Sequence, residues 1–343
     1  AFVTTMGSTD NVDTGAGTKD IVSATLAAGT QAPTVANAET LNLTFSTAGA
    51  TYSGTKTTGA NTINFVALSD ESATLTKLAE EVTTIRHSGT SSAIGDNITI
   101  AYVAGASTAH TLTIGDTADA ADIDIGDVAL SGNAGALTLV SDGFAGNEVE
   151  NFTANTATSL TISTVKDLEL EGAGSSTGAL SATGATSVTM TTAGGDLLVD
   201  GAQSLTKAAS IALTANDGGI ILTGAMTASK ATSLTVVADG NFDQTGNFVS
   251  DENITVSLTA TGAGNVRYNG ILDVDHASSI SLVATAGGDV IVDDIELLGV
   301  DKALDDITSS LTMSATGVDT SAAGSIVTVS AINSAAATLD SVT

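Results

Sequence analysis

Acidic side chains carry most of the chemistry this sequence can offer. Asp116, Asp119, Asp122, Asp124 and Asp127 fall within one short stretch, and Asp289, Asp293, Asp294 and Glu296 open a second that continues through Asp301, Asp305 and Asp306. In the second stretch seven acids within eighteen residues face a single base, Lys302. Hard oxygen donors on Asp-rich turns suit calcium, which gathers about six to eight oxygens. Asp116, Asp119, Asp122 and Asp124, with Asp289, Asp293, Asp294 and Glu296, are therefore the expected metal ligands, and calcium is the expected cofactor. The whole chain sets 38 acids against 9 bases, a formal net charge of −29. With no basic face to neutralise phosphates, nucleic acid is excluded as a partner, and an anionic membrane surface with it. Such a charge is tolerated through bound divalent cations, a salty medium, or solvation of a large surface.

Other reactive constellations are sparse. The three histidines, His87, His110 and His276, lie far apart from one another, as do the two arginines, Arg86 and Arg267. His110 and His276 read as surface or coil-edge residues. There is no His-Glu-x-x-His pair and no convincing phosphate loop. Cysteine is absent, which removes disulfides, thiolate metal sites and cysteine nucleophiles. The expectation is therefore no enzyme. A sugar-cleaving cleft, if one existed, would have to draw on Phe242, Arg267 and Tyr268. No apolar run is long enough to cross a bilayer as a helix. The stretch Gly15 to Val22 echoes a calcium-binding nonapeptide, but Ala16 and Thr18 stand where glycines belong, so it reads as a polar loop. Because the chain opens at Ala1 without Met or a leader, it is expected to be processed or part of a longer protein.

The elements that would position the acids follow from a repeat between about residues 185 and 299. A Ser or Thr leads an alternating apolar run at Ser187, Ser210, Ser233, Thr255 and Ser279, at intervals of 23, 23, 22 and 24 residues. Glycines follow seven to nine positions later, and a second apolar run follows them. A third apolar position recurs at Leu205, Met226, Phe248, Ile271 and Ile295. Alternation with Thr, Ser and Asp is the period of a strand with one buried face. Three short strands joined by turns make one coil, and stacked coils bury a continuous column. The fold class expected is all-β, a parallel β-helix (β-solenoid) with coils of about 23 residues. In such a stack, acids at equivalent positions come within about 5 Å of one another, which is destabilising unless a cation lies between them.

Three regions are expected: an N-terminal β segment over 1–60, a small inserted α+β module over 61–130, and the β-solenoid over 131–343. The module rests on Ser69 to Arg86, where Leu75, Leu78, Ala79, Val82 and Ile85 follow helical spacing and predict one amphipathic helix.

The phrases Glu39-Thr40-Leu41-Asn42-Leu43-Thr44 and Glu150-Asn151-Phe152-Thr153, and the Ala-Thr-Ser-Leu-Thr-Ile coil from Ala157, resemble the RTX-related, calcium-dependent surface-layer proteins of Gram-negative bacteria. That resemblance implies an exported lattice subunit at the cell surface that binds calcium and assembles with identical copies into a layer, sheath or filament. A cell-surface polysaccharide is a further partner it admits. The Gly-Gly-Asp-Leu-Leu-Val coil at Gly194 to Val199 also resembles haemagglutinin-type adhesins, which implies instead a stalk holding a binding tip. A β-helix carbohydrate-active enzyme is the third reading.

Overall fold

The computed structural model describes residues 2–67, 72–88, 97–115, 123–133, 135–143, 146–171, 179–261, 264–285, 288–296, 308–316, 326–333 and 338–342. Two compact units divide the chain, Ala1–Leu170 and Glu171–Thr343. Each is built of parallel strands stacked coil upon coil as a β-solenoid.

In the Glu171–Thr343 unit the leading positions of the repeat fall in register. Ser187 pairs with Ser210, Ser210 with Ser233, Ser233 with Thr255 and Thr255 with Ser279, so the leading hydroxyls form one column along the stack. The backbone of Ser310 pairs with Ser279 in the next strand despite the longer interval before it. Alternation sends every second side chain inward. Val188, Ile211, Leu234, Val256 and Ile280 therefore form a buried column, and Met190, Leu213, Val236, Leu258 and Leu282 a second. Each such burial contributes about 1.5–3 kcal/mol before conformational entropy is charged against it. The second short strand of each coil, as in Leu197–Val199, Ile220–Leu222 and Phe242–Gln244, stacks Leu197 on Ile220, Phe242 and Val266. The third column differs from its expected membership. Gln203, Met226, Phe248 and Leu272 are the residues in register, not Leu205 and Ile271. Gln203 occupies an apolar slot by donating its side-chain amide to the Gly201 carbonyl.

The Ala1–Leu170 unit repeats the scheme with less regular coils. Its longest ladder runs through Ile21–Leu26, Thr40–Phe45, Thr62–Ala67, Thr84–His87, His110–Ile114, Ala136–Ser141 and Ser159–Thr164. Strands from 61–130 thus enter the same ladder as strands before and after them. The helix expected over Ser69 to Arg86 is absent from the described residues of that span, 72–86. Residues Ala73–Leu78 and Thr84–His87 are strands. Lys77 takes a left-handed φ of 50° and the pairing register shifts between Leu75 and Leu78. That bulge turns Leu78 inward three residues after Leu75, and a turn closed by Val82 N–H on the Ala79 carbonyl brings Val82 and then Ile85 inward. A bulge and a turn thereby reproduce the 3–4 spacing of a helix face.

Candidate acidic site

One acidic ladder is formed within the Ala1–Leu170 unit. Asp124 pairs in register with Glu148, and Glu148 with Glu169, so one outward position on three stacked strands is acidic. Glu148 and Glu169 bring carboxylate oxygens within 4.8 Å of each other. The donors are all hard oxygens, the chemistry calcium prefers over softer metals. Of the expected ligands only Asp124 belongs to this ladder. Glu148 and Glu169 were missed, although their spacing from Asp124, 24 and then 21 residues, is that of a coil.

The remaining expected ligands are not drawn together. Asp116, Asp119 and Asp122 lie outside the described residues. Asp289 spends an oxygen on the stack: its Oδ1 accepts the Ile326 N–H at 3.0 Å. Two coils earlier the same device begins, with Asn241 Oδ1 accepting Asn265 N–H at 3.2 Å and Asn265 Oδ1 accepting Asp289 N–H at 2.9 Å. Turn amides that the strand ladders leave over are thus satisfied by the side chain one coil behind. Asp293 is exposed, Asp294 stands opposite Ile271 and Ala331, and Glu296 opposite Asp273 and Asn333. Among the described residues no three of Asp289, Asp293, Asp294 and Glu296 converge as a donor set.

Both described histidine side chains are buried, which corrects the surface placement of His110. His110 is 1% exposed and lies against Tyr102 with ring centroids 4.0 Å apart. Its Nδ1 donates to the Val82 carbonyl at 3.0 Å, and its Nε2 is buried without a partner. Burial pulls its pKa below the ordinary value, against the opposing pulls of that hydrogen bond and of the Glu80 charge. His87 stacks on Phe65 at 4.7 Å, with Nδ1 buried and unpartnered, and burial lowers its pKa from 6.5 to about 4. For His276 only the backbone is described.

The sugar-cleft residues do not share a surface. Phe242 and Tyr268 are each 1% exposed and face the core, whereas Arg267, between them in the pleat, faces solvent. An outward groove of about 420 Å³ does exist in the Ala1–Leu170 unit, over Asn42, Asn64, Arg86 and Ser88. Three of its polar side chains, Asn42, Asn64 and Arg86, are engaged internally. Asn64 Nδ2 donates to Asn42 Oδ1 at 2.9 Å, and Arg86 Nη1 donates to the Gly115 carbonyl at 2.8 Å with Nη2 3.6 Å from Asp142.

Comparison with protein-family models, with curated proteins and with solved structures found no match to this chain.

Proposed function

We propose that this chain is a structural, self-assembling protein of the cell surface, a subunit of a layer, sheath or filament, stabilised by calcium. The observation that supports it best is the Asp124–Glu148–Glu169 ladder. Three like charges at inter-strand spacing oppose one another, and a strongly acidic chain has an electrostatic use for a divalent cation there. Glu148 and Glu169, whose carboxylate oxygens approach within 4.8 Å, would hold the ion beside Asp124 in the ladder, and it would supply positive charge between coils and between neighbouring chains. Its binding would then stabilise the folded coil by mass action.

The test is assembly against calcium. Purified chain in EDTA is titrated with calcium while light scattering and negative-stain images are recorded, with magnesium and high NaCl as controls. Ordered sheets or filaments that appear with calcium and not with the controls are the expected result. A rod-like monomer indifferent to calcium rejects the proposal in favour of the adhesin stalk.

Glu148→Gln separates a calcium ladder from a merely repulsive one. In EDTA the variant is expected to melt higher than the wild type by roughly 0.5–1 kcal/mol, because the central like charge is gone. On adding calcium the wild type gains stability and the variant gains far less, so their order reverses. A variant that stays ahead at every calcium concentration shows that the ladder binds no ion.

A further inference from the structure

The outer face of the leading-hydroxyl sheet in the Glu171–Thr343 unit is uncharged over the five strands that start at Ser187. Five adjacent strands present three outward columns there, headed by Ser187, Thr189 and Thr191. All five positions of the first column are Ser or Thr, four of the second and three of the third, the exceptions being Ala212, Val237 and Val283. None carries a charge, although the chain as a whole stands at −29. Charges begin at the margins. Lys207 and Lys230 lie at the side where the strands start, together with Asp251 and Glu252, and Glu252 is held by Lys230 at 2.5 Å. Asp217 and Asp239, both exposed, lie at the side where the strands end.

We propose that this hydroxyl face is where a second copy of the chain docks, face to face with strands antiparallel. The proposal rests on the self-assembly reading above and names the surface it would use. Two identical polyanions repel over most of their surfaces, so their contact is least opposed where each is neutral. Orientation follows from the margins. Strands laid parallel would set the Asp217 and Asp239 side of one copy against the same acids of the other, whereas the antiparallel arrangement sets those acids against a margin where Lys207 and Lys230 offset Asp251 and Glu252. A two-fold contact of this kind is self-complementary. Regularity helps as well, since strands repeat at about 4.8 Å on both faces and rows of methyls and hydroxyls can interdigitate. The grid measures about 24 by 16 Å, or about 400 Å² for each partner. That is half of the roughly 800 Å² per partner of a stable pair, so the contact is weak alone and gains strength in a lattice that uses several contacts per chain.

Charge placed at the centre tests this. Thr235 is exposed in the middle column, and Thr227 is exposed on a different sheet of the same coils. Full-length wild type, Thr235→Asp, Thr235→Lys and Thr227→Asp are compared by sedimentation velocity over a concentration series at an assembling calcium level, after matched melting curves establish the fold. Thr235→Asp and Thr235→Lys alone are each expected to need roughly tenfold higher concentration to associate, because a like or unpaired charge is trapped in the contact. Their equimolar mixture regains association, and Thr227→Asp behaves as wild type. If wild type assembles and Thr235→Asp assembles equally well, the docking face is wrong and the lattice reading survives. If wild type stays monomeric at every calcium level, the lattice reading falls and this proposal with it. A mixture that fails to associate overturns the two-fold contact. So does a neutral polysaccharide that binds wild type but not Thr235→Asp while the chains stay apart, which would assign the face to a sugar.

Discussion

Gly224→Ala is expected to unfold the Glu171–Thr343 unit at temperatures the wild type survives, with a loss of at least about 3 kcal/mol. The reason is where a Cβ would go. At Gly224 it would stand on the Gly201 carbonyl, at Gly246 on the Gly224 carbonyl, and at Gly270 on the Gly246 carbonyl. Each glycine is thus seated on the backbone of the coil before it. The obstacle is main chain with coils stacked beyond it, so it has no flexible end to swing aside. The same corner is pinned from inside, where Gln244 Nε2 donates to the Gly224 and Gly246 carbonyls at 3.0 Å each. Moving the Gly224 backbone to admit a methyl would therefore also pull away an acceptor from a buried amide. Gly15→Ala supplies the contrast. A Cβ there meets nothing within 4 Å, and only its φ of +87° resists substitution, which costs about 1 kcal/mol. Urea midpoints of the two variants, measured by circular dichroism, should differ by about 2 kcal/mol or more in that order. Equal midpoints would show that the corner relaxes and that close coil packing does not hold this unit together.

That corner also shows what the sequence made legible. The leading Ser and Thr positions predicted the register of an entire sheet, because a strand with one buried face must keep every second residue apolar and a stack must keep the interval. Ser187 to Ser279 obey both conditions. The third column was less legible because one of its residues is polar and another is displaced by one position. Gln203 sits inside where a hydrophobe was sought, and Leu272, one residue past Ile271, is the one that turns inward. A polar residue buried by a hydrogen bond to a carbonyl has no signature in a hydropathy pattern. The region over Ala73 to His87 failed for a related reason: a single left-handed residue, Lys77, shifts the phase of a strand so that its apolar spacing imitates a helix. The acids show the same limit. Local density drew attention to Asp289, Asp293, Asp294 and Glu296, whereas proximity in a solenoid is set by the coil interval, which joins Asp124 to Glu148 and Glu169. Applying the interval from the repeat backward through the chain is the step that would have found them.

His87 carries the second large effect, and its sign can be worked out. Its ring is buried on Phe65, its Nδ1 has no partner, and its pKa falls from 6.5 to about 4. The folded state therefore prefers the neutral imidazole more than the unfolded state does. The stability this provides is fully present above the unfolded value of 6.5 and is lost as pH falls toward the folded value of about 4. The whole shift corresponds to about 3 kcal/mol, most of it lost by about pH 4.5. Carboxylates titrate in the same window and relieve the chain's own repulsion, so the raw pH dependence of the wild type mixes two opposing effects. His87→Phe isolates one of them. Phenylalanine continues the Phe45 and Phe65 aromatic series without a titrating group, and any cost of its extra volume is the same at every pH. Relative to wild type, the variant should gain about 2.5 kcal/mol between about pH 7.5 and about pH 4.5, read from urea midpoints at each pH. A difference that stays constant across that range would mean that water or a local opening solvates the imidazole, and that the interior of the coil at His87 is not closed.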